Sequence, residues 1–187
     1  RIGILGDIGS GKSFVSKVFG YPVFNADYEV SKLYKKDKKI FIKLNKKLPK
    51  YIFKFPIDKN EITAAILDNK NNLKKIIKVV HFEIRKEMSI FLRINRNQKI
   101  VVLDIPLLVE NKINRKNDIL IFINSKKSEI LKRLKNRNNF KKKLYTKFKN
   151  IQLPLNYKKK KSKFIIKNDF TDKSVKKSIK NILSQII

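Results

Sequence analysis

Cysteine is absent from this chain of 187 residues, which excludes disulfides and thiolate-held metals and leaves nothing that argues for secretion. No apolar run approaches the ~18 residues that a membrane span needs, and no signal-peptide pattern opens the chain. Cytoplasm is the expected compartment, with no membrane partner. The chain starts at Arg1, almost inside its first strand, and a few residues including an initiator Met are expected ahead of it. Acidic residues are also scarce, 15 against 47 Lys and Arg, for a net charge of +32. Such a balance suits either a nucleic-acid binder or a chain drifting toward Lys, Asn and Ile, whose codons are A/T-rich. The basic residues run from Lys32 to Lys180 on nearly every segment instead of forming a stripe with aromatics interleaved, so no dedicated nucleic-acid partner is expected. A milder consequence stands: small polyanions are drawn to this surface, more so at low salt.

Glycine is the third shortage, and the most informative. There are only 5, all within the first twenty residues, and three of them lie in Gly6-Asp7-Ile8-Gly9-Ser10-Gly11-Lys12-Ser13. That stretch fits G-x-x-x-x-G-K-[ST], the loop that wraps nucleotide phosphates. Ile2 to Leu5 reads as a buried strand entering it, and Phe14 to Phe19 as the helix leaving it. Glycines let backbone N–H groups converge on phosphate oxygens with no Cβ in the way, and the new helix offers unpaired N–H groups and the positive end of its dipole. Gly9, Ser10, Gly11, Lys12, Ser13 and Phe14 are therefore the expected nucleotide contacts, Phe14 through its backbone N–H. Lys12 reaches the outer phosphates and the Ser13 hydroxyl is placed to ligate Mg2+.

The hydrophobic content of 42% suits one domain with a real core. Tyr21 to Phe24 reads as a second strand, ending in Asn25-Ala26-Asp27, where a helix begins and runs through Tyr28, Val30, Leu33 and Tyr34. Residues 35–97 change character. Apolar positions recur at helical spacing at Ile62, Ala65 and Ile66, and at Leu73, Ile76, Ile77, Val80 and Ile84, with a short aromatic run at Tyr51-Ile52-Phe53. Ile100 to Asp104 and Ile119 to Ile123 read as central parallel strands, Ser128 to Leu134 as a helix, and Phe164 to Ile166 as a last strand. Asp172 is placed to cap a final helix through Val175, Ile179, Ile182 and Leu183. Strands alternating with helices imply an α/β fold with a parallel sheet.

Several segments together resemble the dephospho-coenzyme A kinase family. They are the loop from Ile8 to Ser13, Pro22-Val23-Phe24-Asn25-Ala26-Asp27, and Val101-Val102-Leu103-Asp104-Ile105-Pro106-Leu107-Leu108-Val109-Glu110. Arg133-Leu134 to Arg137, Gln152 to Pro154 and Ile165 to Asn168 follow in the family's order, over nearly the whole chain. The resemblance implies a three-layer P-loop kinase fold of one domain, with core segments near 1–34, 98–136 and 153–187. A helical acceptor-binding insertion is expected near 35–97 and a lid near 137–152. It implies transfer of phosphate from ATP, with Mg2+, to the ribose 3′-hydroxyl of dephospho-CoA. Two other readings fit the loop alone: a kinase of the same architecture for another nucleoside or nucleotide, and a basic NTP-binding protein working on nucleic acid. A monomer is expected, with an oligomer left open.

In-line phosphoryl transfer needs neutralised phosphates and a hydroxyl held for attack. The resemblance makes Asp27 the base toward that hydroxyl; a helix N-cap is the plainer alternative and the two are compatible. Asp104 ends a buried strand, where it serves either a metal-bound water and the acceptor or a structural hydrogen bond. Glu110 is either an acceptor contact or a solvated surface group. Arg133 and Arg137, four apart, share one face if helical; they either grip phosphate and spread transferred charge or are solvated, and the resemblance implies that Arg137 begins the lid and contacts ATP. By resemblance Asn168 bonds the adenine. His81, the lone histidine, and Arg85 one turn later are acceptor-site candidates or ordinary helix residues. Four departures stand out: Phe14 where the family often has Thr, Asn25 where it often has Asp, Phe82 where the family has Pro after the histidine, and Phe148 where a further lid arginine is expected.

Overall fold

The computed structural model describes residues 1–137 and 140–187, and the chain divides into two compact units. The first comprises Arg1–Asn25, Asn95–Phe140 and Lys149–Ile187; the second comprises Ala26–Ile94 and Lys141–Phe148.

The first unit is built on five strands: β1 (Ile2–Gly6), β2 (Val23–Asn25), β3 (Val102–Asp104), β4 (Ile119–Asn124) and β5 (Phe164–Lys167). They form one all-parallel sheet in the order β2-β3-β1-β4-β5, with β1 at its centre and buried throughout. Helices α1 (Lys12–Val18) and α9 (Asp172–Leu183) cover one face. There Val15, Phe19, Val175, Ile179 and Ile182 pack on Ile2, Ile4, Val102, Ile121, Ile123 and Ile166. The alternate strand positions face the other way. At Gly3 a Cβ would stand 2.7 Å from a Leu108 methyl and 2.8 Å from one of Leu120, so close approach on this side of the sheet requires glycine. Helix α8 (Leu155–Lys161) packs against β1 and β4. The result is the expected three-layer α/β fold with a parallel sheet, both faces covered. Helix α6 (Lys127–Lys135) completes the unit.

The strands are shorter than their apolar runs. β2 and β3 pair only through Val23–Asn25 and Val102–Asp104, while Ile100 and Val101 are buried ahead of the ladder. The last helix also starts differently. Thr171 occupies the cap position and Asp172 is already helical, because the preceding turn is tied by Asp169, whose carboxylate accepts from the Thr171 N–H (3.0 Å) and hydroxyl (2.8 Å).

The second unit contains α2 (Ala26–Lys36), α3 (Lys38–Lys47), α4 (Lys59–Asp68), α5 (Lys70–Ile94) and most of α7 (Lys142–Asn150). The buried stripe Leu73, Ile76, Val80 and Ile84 of α5 packs against α2, α3 and α4. The aromatic run forms no strand. Its chain turns back on α3, with the Ile52 N–H on the Leu48 carbonyl, and Ile52 is fully buried. Helix ends are satisfied by side chains: Asp37 accepts from Lys39 and Ile40 N–H (2.8 and 3.1 Å), and Asp58 from Asn60 N–H (2.8 Å). The Lys147 ammonium donates to the Ile66 and Leu67 carbonyls (2.8 and 3.1 Å), placing a cation on the negative end of α4.

Glu110 does not lie on a solvated surface. Its side chain is 8% exposed and pairs at 3.0 Å with the Lys158 ammonium, itself 3% exposed, and it also accepts from the Leu153 N–H at 3.1 Å. Loss of one partner strands the other charge in a dry interior. Glu110→Ala should therefore lower unfolding free energy by about 3–5 kcal/mol in urea titrations, and replacing Glu110 and Lys158 together by apolar residues should cost much less than the two single changes combined.

Candidate active site

Where β1 ends, residues 7–11 form the loop that leads into α1. Gly9 and Gly11 hold φ of 81° and 87°. At Gly11 a Cβ would collide with the Asn168 amide nitrogen and come within 3.0 Å of the Phe170 ring, so both the dihedral and the space demand glycine. The Ser10 carbonyl accepts from the Ser125 hydroxyl (2.9 Å) and from the Asn168 amide (2.8 Å). In a trans peptide the carbonyl and the next N–H point opposite ways, so these two donors turn the Gly11 N–H away from Ser125 and Asn168. Gly11 caps α1 without any side-chain bond, and the N–H groups of the helix's first turn have no intrahelical acceptors. Lys12 and Ser13 stand in that turn, Ser13 exposed, and Phe14 follows. The Lys12 ammonium lies 2.7 Å from the Asp7 carbonyl and 3.5 Å from that of Gly6. One acidic side chain belongs to this loop, and it is neutralised: Asp7 accepts from the Ile8 N–H (2.7 Å) and the Lys149 ammonium (2.6 Å).

The carboxyl ends of neighbouring strands carry the next groups, where parallel α/β sheets place their ligands. Asp104 ends β3, 3% exposed, and receives the Asn25 amide at 2.6 Å from the register-matched end of β2. An aspartate at 25 would set two carboxylates against each other; the asparagine supplies the donor that buried Asp104 needs. Among the described residues no group of three His, Asp or Glu is arranged to hold a metal. Asn168, just past β5 and 4% exposed, holds the Ser10 carbonyl with its nitrogen and accepts from the Phe170 N–H with its oxygen (2.9 Å). Its observed partners thus belong to the loop and to its own turn.

Arg133 and Arg137 do not share a helical face. Helix α6 stops at Lys135, and the Arg137 N–H bonds back to Leu134 in a tightened last turn. The run Asn136-Arg137-Asn138-Asn139 explains the stop, since Asn competes for backbone partners and is a poor helix former. Asn138 and Asn139, within the expected lid, lie outside the described residues. Arg133 stacks its guanidinium 4.2 Å from the centre of the Phe170 ring.

In the second unit, Asp27 is exposed in the first turn of α2, one position inside the helix and not at its cap. His81 and Arg85 stand one turn apart on α5. Burial first, and then the Arg85 charge, hold His81 below the ordinary histidine value, so it is a neutral imidazole near pH 7.

A family model described as dephospho-CoA kinase matches residues 1–174. The chain belongs to the dephospho-CoA kinase family. The dephospho-CoA kinase of the Wolbachia of Brugia malayi is 36% identical, over 99% of this chain and 97% of its own length. That of Bacillus thuringiensis is 31% identical, over 98% and 96%. Among solved structures, a Thermus thermophilus protein aligns with a TM-score of 0.78 at 23% identity, over 100% of this chain and 97% of the other. The Campylobacter jejuni dephospho-CoA kinase gives 0.65 at 21%, over 99% and 96%. Shikimate kinase from Bacteroides thetaiotaomicron gives 0.54 at 12%, over 99% and 97%. These structural likenesses establish the P-loop kinase fold.

Three residues of this dephospho-CoA kinase family member escape a reading of motifs. Ser125 clamps the loop through one hydroxyl that no pattern distinguishes. Lys149, one of two lysines beside Phe148, pairs with Asp7, a partner that no motif names. Phe170 takes a positive φ of 64°, which its residue type argues against.

The His81 shift fixes a pH dependence. Its pKa is depressed in the folded chain, so the unfolded chain binds the proton more readily, and stability falls as pH drops through about 6.5 toward the folded value. Comparing chemical unfolding at pH 7.5 and 5.5, wild type should lose more stability than His81→Gln, and the difference should vanish above pH 7.5.

Proposed function

We propose that this chain is the kinase that moves the γ-phosphoryl group of ATP to the ribose 3′-hydroxyl of dephospho-CoA, giving CoA and ADP in the last step of CoA synthesis. The observation that carries the reading is the loop itself: a glycine-rich turn into Gly11-Lys12-Ser13 whose Ser10 carbonyl is anchored by residues just beyond β4 and β5. Family membership supplies the acceptor. The proposed compartment is the cytoplasm.

Backbone N–H groups from Gly9 to Phe14 surround the phosphates, and Lys12 exchanges its loop carbonyls for the outer phosphate oxygens. Ser13, exposed at the start of α1, and Asp104, with one oxygen on Asn25, fit a cation that retains most of its waters. Bound Mg2+ would neutralise charge on the β- and γ-phosphates. Arg137 stabilises the charge of the transferred group, and Arg133 contacts ATP.

Asp27 holds and deprotonates the 3′-hydroxyl. The helical segment 35–97, with neutral His81 as a hydrogen-bonding group and Arg85 as the cation, binds the acceptor. The segment 137–152 is a lid that excludes water, which otherwise competes for the phosphoryl group. Glu110 and Asn168 hold the site's framework: Glu110 in its pair with Lys158, Asn168 by orienting Ser10.

The deciding assay supplies purified protein with Mg-ATP and dephospho-CoA and follows CoA and ADP by chromatography. Equimolar CoA and ADP are expected. Lys12→Ala should lower kcat by about 100-fold or more through lost charge at the phosphates. Asp27→Asn should cut kcat by about 100- to 10,000-fold with ATP affinity nearly unchanged. ATP turnover indifferent to dephospho-CoA, or parallel loss of kcat and ATP affinity in Asp27→Asn, would overturn the assignments.

A further inference from the structure

Asp7 is the one acid among residues 7–11, in a chain with only 15 acidic residues, and it stands in a loop built to gather negative charge. Its presence there has a structural reason. The carboxylate accepts from the Ile8 N–H (2.7 Å) and the Asp7 carbonyl accepts from the Ser10 N–H (3.2 Å), so one residue ties two amides of the turn. The same carbonyl receives the Lys12 ammonium at 2.7 Å. Asp7 therefore adjoins the cation assigned to the outer phosphates. Its side chain is 13% exposed, so water screens the carboxylate only in part, and a triphosphate entering the loop would meet a like charge.

Lys149 answers that charge. Its ammonium stands 2.6 Å from Asp7 Oδ1, the same oxygen that accepts from Ile8. Abundance of lysine does not explain the pairing, because neighbours serve different partners: Lys147, two residues earlier, donates to the Ile66 and Leu67 carbonyls of the second unit, whereas Lys149 belongs to the first unit with the loop. We propose that Lys149 is a positioning residue for ATP binding that acts through Asp7, as the counter-charge that lets an acid stand in the phosphate loop. This rests on the reading of the loop as an ATP site and adds a requirement that the loop motif does not contain. Positions 7 and 149 then work as one unit. While the acid is present the lysine is needed; once position 7 is neutral the lysine is dispensable. The requirement grows with the charge of the ligand, so it weighs more on a triphosphate than on a diphosphate.

Calorimetry with ATP, ADP and inorganic tripolyphosphate on wild type, Lys149→Met, Asp7→Asn and the double variant closes the cycle. Lys149→Met should bind ATP and tripolyphosphate about tenfold more weakly than wild type, with a smaller loss for ADP. Lys149→Arg, which keeps the charge, should bind as wild type does. Asp7→Asn should bind ATP at least as tightly as wild type, and added to Lys149→Met it should restore most of the lost affinity. The Lys149→Met defect should also shrink as salt rises from about 0.05 to about 0.5 M. A double variant as weak as Lys149→Met would mean that the lysine meets phosphate directly, and undiminished ATP binding in Lys149→Met would mean that Asp7 needs no counter-charge. Either result overturns the pairing and leaves the kinase reading standing. A wild-type protein that binds neither ATP nor tripolyphosphate overturns both.

Discussion

The Ser10 carbonyl accepts two hydrogen bonds, one from Ser125 beyond β4 and one from Asn168 beyond β5, and the nucleotide loop depends on them. A glycine-rich turn has many conformations of similar energy, and its N–H groups converge only if something outside the turn selects one. Here the selecting groups come from two neighbouring strands, so the loop's shape follows from the register of the sheet. Each bond contributes about 1 kcal/mol net to stability. Their larger effect is to set a peptide plane, and with it the direction of the Gly11 amide.

The same economy governs charge. In a chain of +32, three acidic side chains of the first unit, Asp7, Asp104 and Glu110, each have a partner. Lys149 neutralises Asp7 beside the phosphate loop, and Asn25 supplies the donor to Asp104. Lys158 is buried against Glu110. An unpaired carboxylate at 7 would repel the triphosphate, and the lysine at 149 removes that repulsion without the planar fork of an arginine. The basic surplus elsewhere raises the local concentration of any polyanion, a long-range effect that salt screens.

How much of this was legible in the sequence depends on whether the information is local. The strand, the loop and the helix after it are written in consecutive residues, and so is the apolar stripe of α5. The parallel sheet followed from alternation of strands and helices, and the aspartate closing an apolar run marked the end of β3. What stayed hidden is relational. Glu110 gave no sign of its pair with a lysine 48 positions on, because one lysine among many looks like any other. The end of α6 depended on a run of asparagines weighed against an arginine spacing that suggested continuation. Asn168, assigned to adenine by resemblance, makes its observed bonds to backbone, which is visible only once β5 has been laid beside β4.

The two units divide the proposed chemistry along the chain. The groups assigned to ATP and its metal ion belong to the first: the loop, Asp104, Arg133 and Arg137. Those assigned to the acceptor, namely Asp27, His81 and Arg85, belong to the second. The division has a chemical logic. A triphosphate is held by many amides in fixed directions, which a sheet-anchored loop provides, whereas a long flexible acceptor is better met by helices whose side chains change without disturbing a hydrogen-bond ladder. Asp27 follows the end of β2 by two residues with no intervening loop. A residue that must meet a hydroxyl within hydrogen-bond reach belongs at such a position, because a longer connection would add freedom that the reaction would have to remove.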